Sequence, residues 1–202
     1  MRTMNPFQLS RLGEIEAGRK FWGYLDTDAL RTRYVLAAHF VRGARHIVEI
    51  GGYRHNVITN FLTGSHESVS VYSLDAEFEP LDAHTLNDAP CRVRLVQDYF
   101  QHHVHPTEDL AIVALGLEIH GEVEGFYELV GRASRAVLEI PIDHQPSVEC
   151  LKLLREHVEM RMACQVNLDL SPNEPVLREQ LRESNMNAPF WRRHLYVFDI
   201  VR

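Results

Sequence analysis

The residues whose types and spacing could do chemistry fall in four short groups, each just after an apolar run. They are Glu49-Ile50-Gly51-Gly52-Tyr53-Arg54-His55, Asp75, Gln97-Asp98-Tyr99-Phe100 and Gly116-Leu117-Glu118-Ile119-His120. Glycines let a backbone approach a ligand closely, because no Cβ stands in the way. An acid at a strand end can accept hydrogen bonds from both hydroxyls of a ribose. Asp98 is placed to accept from an amino group on a base, with Tyr99 or Phe100 flanking the ring. Together the set suits a nucleoside. Each residue also has a plainer reading: Gly51-Gly52 as a tight strand–helix turn, Asp75 and Asp98 as caps or solvated acids, Glu49 as a cap or a partner for Arg45.

The elements that must position these groups can be read from periodicity. Leu30, Tyr34, Ala37, Ala38 and Val41 recur at helical spacing after Asp26-Thr27, and Gly43 ends that helix. His46–Ile50 reads as a short buried strand, broken by Gly51-Gly52, with a brief helix over 57–62 closed by Gly64. Ser68–Leu74, Cys91–Val96, Leu110–Leu115 and Arg135–Ile140 read as further strands, and Gln165–Leu170 and Leu195–Val201 complete the set. Helical spacing returns over Glu122–Val130, Val148–His157 and Glu174–Glu183, the last with Pro175 in its first turn. Residues 76–90, rich in Glu, Asp and Pro, read as a surface excursion. Short apolar strands alternating with amphipathic helices imply a mostly parallel sheet covered on both faces, a three-layer α/β/α sandwich. In such a sheet, ligands bind beyond the carboxyl ends of the strands, where all four groups stand.

The 202 residues suffice for one domain, and 45% hydrophobic with 24% charged residues is a globular composition. A net charge of −7 and a pI near 5.9 disfavour a nucleic-acid partner, which usually meets a basic face. No window approaches the roughly 20 apolar residues of a membrane span, and the first 28 residues lack the apolar run of a signal peptide. Cys91, Cys150 and Cys164 are odd in number and far apart, so a reduced, cytoplasmic protein is expected. No metal is expected either. His102, His103 and His105, near Glu108 and Asp109, have neither helical ligand spacing nor a CxxC partner, and Pro106 ends the segment.

The order of these elements resembles the class I S-adenosylmethionine-dependent methyltransferases, from about residue 27 to the end. The resemblance implies a Rossmann-like domain over 1–202 with a seven-stranded, mostly parallel sheet whose last strand, Leu195–Val201, is reversed. It implies S-adenosyl-L-methionine as cofactor. Glu49, Gly51 and Gly52 would hold its amino-acid portion, Asp75 its ribose and Asp98 its adenine beside Tyr99. The end of the fourth strand, Leu115-Gly116, would border the transferring methyl. The family's alternating glycines are replaced here by Tyr53, Arg54 and His55, so Arg54 or His55 becomes the expected partner of the ligand carboxylate. No Asn/Asp-Pro-Pro-Tyr segment follows the fourth strand, which argues against N-methylation of nucleobases or protein amides.

For catalysis, His120 has an ordinary pKa near ~6.5 that suits a general base at neutral pH. Glu118 is its local rival, a solvated loop histidine is the plain alternative, and alignment alone can accelerate transfer to a strong nucleophile. Residues 1–42 are expected to form a helical lid, with Phe21, Trp22, Tyr24 and Tyr34 over a small-molecule acceptor and His144 near it. Aromatic faces there would attract a sulfonium. Other readings are attack on the cofactor's own carbon chain, giving a cyclised or aminocarboxypropyl product with methylthioadenosine, and a non-catalytic Rossmann-like binding protein. NAD chemistry is disfavoured, since the three-glycine fingerprint is absent. A homodimer through the Trp191-containing edge or the N-terminal helix is compatible with the sequence.

Overall fold

The computed structural model describes residues 28–52, 58–73, 84–86, 89–115, 123–142, 145–169 and 192–201. Helix α1 runs Asp28–Phe40 and buries Tyr34, Ala37 and Ala38, followed by Val41, the three-and-four spacing that a helix needs to present one apolar stripe. Strand β1, His46–Ile50, follows after a short turn. The helix expected over 57–62 is only a 3₁₀ turn, Ile58–Asn60. Its residues explain the shortfall, because Ile58, Thr59, Asn60 and Thr63 are all weak helix formers. Then come β2, Ser68–Tyr72; β3, His84–Leu86; β4, Ala89–Val96; a 3₁₀ turn, Phe100–His102; and β5, Leu110–Leu115. Helix α2, Val123–Arg132, leads to β6, Arg135–Pro141. Helix α3, Gln145–His157, leads to β7, Met160–Asp169, and β8 is Arg192–Ile200. Among the described residues no helix is long and apolar enough to cross a membrane.

The strands form one sheet in the order β3-β4-β2-β1-β5-β6-β8-β7. The last strand is reversed, as expected: β8 runs against both β6 and β7. The rest of the expectation needs correction. Among the described residues the sheet holds the seven expected strands with β3 added, eight in all, and it is mixed rather than mostly parallel. The pairs β1–β2, β1–β5, β2–β4 and β5–β6 are parallel, whereas β3–β4, β6–β8 and β7–β8 are antiparallel. The cause is local. A reversed strand inserted between β6 and β7 creates two antiparallel pairs, and β3 pairs antiparallel with β4 within what read as an excursion. Strand β7 also begins at Met160, five residues earlier than its pattern suggests, because pairing with β8 overrides weak local preference. The expected helix over 174–183, Trp191, and residues 1–27 of the expected lid lie outside the described residues.

The sheet carries two apolar cores. On one face Ile47, Val69, Val71, Val113, Val137 and Val197 pack with α1 and Ile58. On the other Val48, Ile112, Leu138 and Phe198 pack with Phe126 and Leu129 of α2 and Leu154 of α3. Coverage is complete over β5, whose six residues are all buried, and partial over β2 and β4, where Ser68, Ser70 and Arg94 stay half exposed and Arg92 exposed.

One polar interaction lies inside the first core. Glu139 of β6 is fully buried, and its Oε2 accepts a hydrogen bond from Nη1 of Arg33 on α1 at 2.8 Å. Nε of Arg193 on β8 stands 3.2 Å from the other oxygen, close enough to pair as an ion though not aligned as a hydrogen bond. The carboxylate thus links α1, β6 and β8. Glu139→Ala would leave buried guanidinium charge without its partner and is expected to destabilise the protein by roughly 3–5 kcal/mol in urea unfolding. Val104→Ala, at a residue 96% exposed, is expected to stay within about 0.5 kcal/mol.

Candidate functional site

The carboxyl ends of β1, β2 and β4 are tied to one another in steps. Gly51 takes a φ of 78°, a left-handed conformation that favours glycine, and so turns the chain sharply out of β1. Both Gly51 N–H and Gly52 N–H donate to the carbonyl of Tyr72, the last residue of β2, at 2.9 and 3.2 Å. One residue on, Ser73 N–H donates to the carbonyl of Val96, the last residue of β4, at 3.0 Å. These bonds fix three strand ends as one edge. The N–H groups of both glycines thus serve the fold.

Glu49 lies beneath that edge. It is 1% exposed, and its Oε2 accepts from the backbone N–H of Ile58 at 2.7 Å, which pulls the returning chain back over β1. Burial pushes its carboxyl up to about 8, against the opposing pull of the Ile58 N–H and the Arg33 charge. At neutral pH it is mostly protonated. Tyr34 sits beside it, 2% exposed and stacked on Phe61 at 5.4 Å, and its phenol is pushed up by burial and by Glu49.

Beyond β4, Asp98 is the hub of a polar cluster. Its Oδ1 accepts from Tyr99 N–H at 2.7 Å and from Nδ1 of His102 at 2.9 Å; its Oδ2 accepts from Nε2 of His103 at 3.1 Å. The Tyr99 N–H and the two imidazoles hold the carboxyl below its ordinary range, so it is ionised at neutral pH. The rings of His103 and His105 pack on Tyr72 at 5.1 and 5.4 Å, and His105 Nε2 donates to the Phe100 carbonyl at 2.8 Å. Among the described residues no three His, Cys, Asp or Glu side chains form a group that could hold a metal.

The expected site residues therefore divide. Glu49, Gly51, Gly52 and Asp98 stand at the edge formed by β1, β2 and β4. Leu115, 6% exposed, ends β5 two strands away from β2, and Tyr99 is 49% exposed beside His102. Tyr34 belongs to the core under α1. Tyr24, Tyr53, Arg54, Asp75, Gly116, Glu118, His120 and His144 lie outside the described residues. Periodicity did not single out Glu139, which pairs in register with Leu115. Its one signal was a charge inside the apolar run of β6. The two histidine contacts of Asp98 were equally unmarked, since a His-His-x-His string reads first as a solvated loop.

No known protein family matches the chain, and no curated protein does. Solved structures do resemble it. The N-methyltransferase NodS from Bradyrhizobium japonicum WM9, in complex with S-adenosyl-L-homocysteine, is 12% identical with a TM-score of 0.58, over 98% of this chain and 100% of that one. The 1,6-didemethyltoxoflavin-N1-methyltransferase from Burkholderia thailandensis, with its namesake compound and S-adenosylhomocysteine bound, is 14% identical with a TM-score of 0.56, over 97% and 88% of the two chains. An O-methyltransferase from Bacillus cereus in complex with S-adenosylhomocysteine is 12% identical with a TM-score of 0.52, over 94% and 90%. At these identities the likeness is one of architecture: the chain has the class I Rossmann-like methyltransferase fold.

Proposed function

We propose that the protein is an S-adenosylmethionine-dependent methyltransferase acting on a small-molecule acceptor. The observation that carries this reading is the exit from β1: a buried acid, then a glycine in the left-handed region, at the edge where β1, β2 and β4 meet. The structural neighbours crystallised with S-adenosylhomocysteine, or with a small-molecule acceptor, support it.

The donor set fits such a ligand. Gly51 and Gly52 present no Cβ where the amino-acid portion would pass, and Glu49 has one carboxyl oxygen committed to the Ile58 N–H. Asp75 follows β2, where a ribose would lie, and Arg54 or His55 is the candidate partner of the ligand carboxylate. What the cofactor supplies is an electrophilic methyl carbon on a sulfonium sulfur. The chain aligns the acceptor with that carbon, excludes water and receives the acceptor's proton. His120, with Glu118 as alternative, is the proposed proton acceptor, and Leu115 and Gly116 border the transfer. Tyr24, Tyr34 and His144 are proposed to shape the acceptor side, with Tyr34 acting from the core through its neighbours.

Two measurements test this. Calorimetric titration is expected to show micromolar binding of S-adenosylmethionine and S-adenosylhomocysteine but not of NAD, weakened roughly tenfold or more by Asp75→Ala, which removes hydrogen bonds to the ribose. Absence of binding to the folded protein would sink the proposal and leave a non-catalytic Rossmann-like protein. The second uses protons. An ammonium group arriving beside Glu49 favours the carboxylate, so a carboxyl mostly protonated at pH 7 must release its proton on binding. Titrating S-adenosylhomocysteine at pH 7 in buffers of different ionisation enthalpy should therefore show release of most of one proton. Glu49→Gln is expected to abolish that release, and a release unchanged in Glu49→Gln would remove Glu49 from the site.

A further inference from the structure

Asp98 is the residue expected to read adenine, yet its oxygens are largely used. A carboxylate has about four acceptor positions, and three donors already occupy Asp98: Tyr99 N–H, His102 Nδ1 and His103 Nε2. An ionised carboxylate can only accept, so both imidazole nitrogens facing it carry hydrogens. This fixes the two tautomers. In the neutral rings, His102 keeps Nε2 and His103 keeps Nδ1 as bare acceptors, and neither has a hydrogen-bond partner among the described residues.

The two rings are placed differently. His102 has a side chain 62% exposed and packs against Tyr99, outside the strand edge. His103 is 21% exposed and packs on Tyr72, the residue whose carbonyl takes the N–H groups of Gly51 and Gly52. It therefore stands beside the ends of β2 and β4, braced by Asp98 on one side and by Tyr72 against its ring. A second residue that orients an imidazole and fixes its tautomer is a recurrent way of making one ring nitrogen a directed acceptor.

We propose that His103, oriented by Asp98, is the residue that selects a 6-aminopurine, its Nδ1 accepting a hydrogen bond from the exocyclic amino group. Asp98 is then a positioning residue. This rests on the cofactor reading above. A 6-oxopurine would set an oxygen acceptor against the Nδ1 acceptor, so the same site rejects it.

The test is to titrate S-adenosylhomocysteine and S-inosylhomocysteine, which differ at that one purine position, into the full chain by calorimetry. The wild-type protein is expected to prefer the amino compound by roughly tenfold or more, the scale of one hydrogen bond gained against an acceptor–acceptor clash. His103→Gln keeps a donor for Asp98 but has no acceptor at the Nδ1 position, and should bring the preference close to one. His103→Phe, which keeps a ring against Tyr72, should do the same and guards against a folding defect in either variant. His102→Phe removes one donor from Asp98 equally well and should leave the preference intact. Preference retained in both His103 variants, or lost equally in His102→Phe, would overturn the assignment and return the reading of adenine to Asp98. Wild-type binding of neither compound would overturn the cofactor reading, and this inference with it.

Discussion

The geometry of the candidate site depends on how the chain leaves β1. A parallel strand must hand its direction to a connection that crosses back over the sheet, and here that connection is short. The reversal is made by a left-handed Gly51, by two N–H groups converging on the Tyr72 carbonyl and by the Ile58 N–H returning to a buried Glu49. Without the glycine, a side chain would be strained at this φ. Without the acid, the Ile58 N–H would lose its buried acceptor. The ends of β2 and β4 take their places from the same bonds, through Tyr72 and Ser73.

Charge burial follows from this arrangement. Glu49 and Glu139 both lie on the face covered by α1, under the carboxyl edge, and Arg33 faces both. The two acids are treated differently. Glu139 has guanidinium groups on two sides, whereas Glu49 has one backbone donor and a more distant charge, so burial dominates and holds it mostly protonated. One buried acid thus ties secondary elements together, and the other holds the returning chain over β1. Asp98, on the half-exposed side of the edge, has three donors and is ionised.

Much of this was legible in the sequence, for identifiable reasons. His46–Ile50 and Leu110–Leu115 were bounded correctly to the residue, because each is an apolar run flanked by residues that stop a strand. Helix α1 was clear from its stripe, and Asp98 was placed correctly just past the third long strand. What escaped depends on distant partners. The three-residue β3 has no pattern of its own and exists through pairing with β4. The first residues of β7 are strand because β8 lies beside them. Glu139 looked like an oddity within an apolar run until Arg33, 106 positions away, came to meet it. The histidines after Asp98 gained meaning only when a 3₁₀ turn folded them back onto its carboxylate.

The most direct test of the central claim, that this edge holds an adenosyl ligand, is saturation-transfer NMR on S-adenosylhomocysteine in the presence of the folded protein. The expected result is saturation passing from the protein to the adenine and ribose protons and displaced by S-adenosylmethionine, with none reaching NAD under the same conditions. If the adenine protons receive no saturation, or NAD receives as much, the edge formed by β1, β2 and β4 is not an adenosylmethionine site.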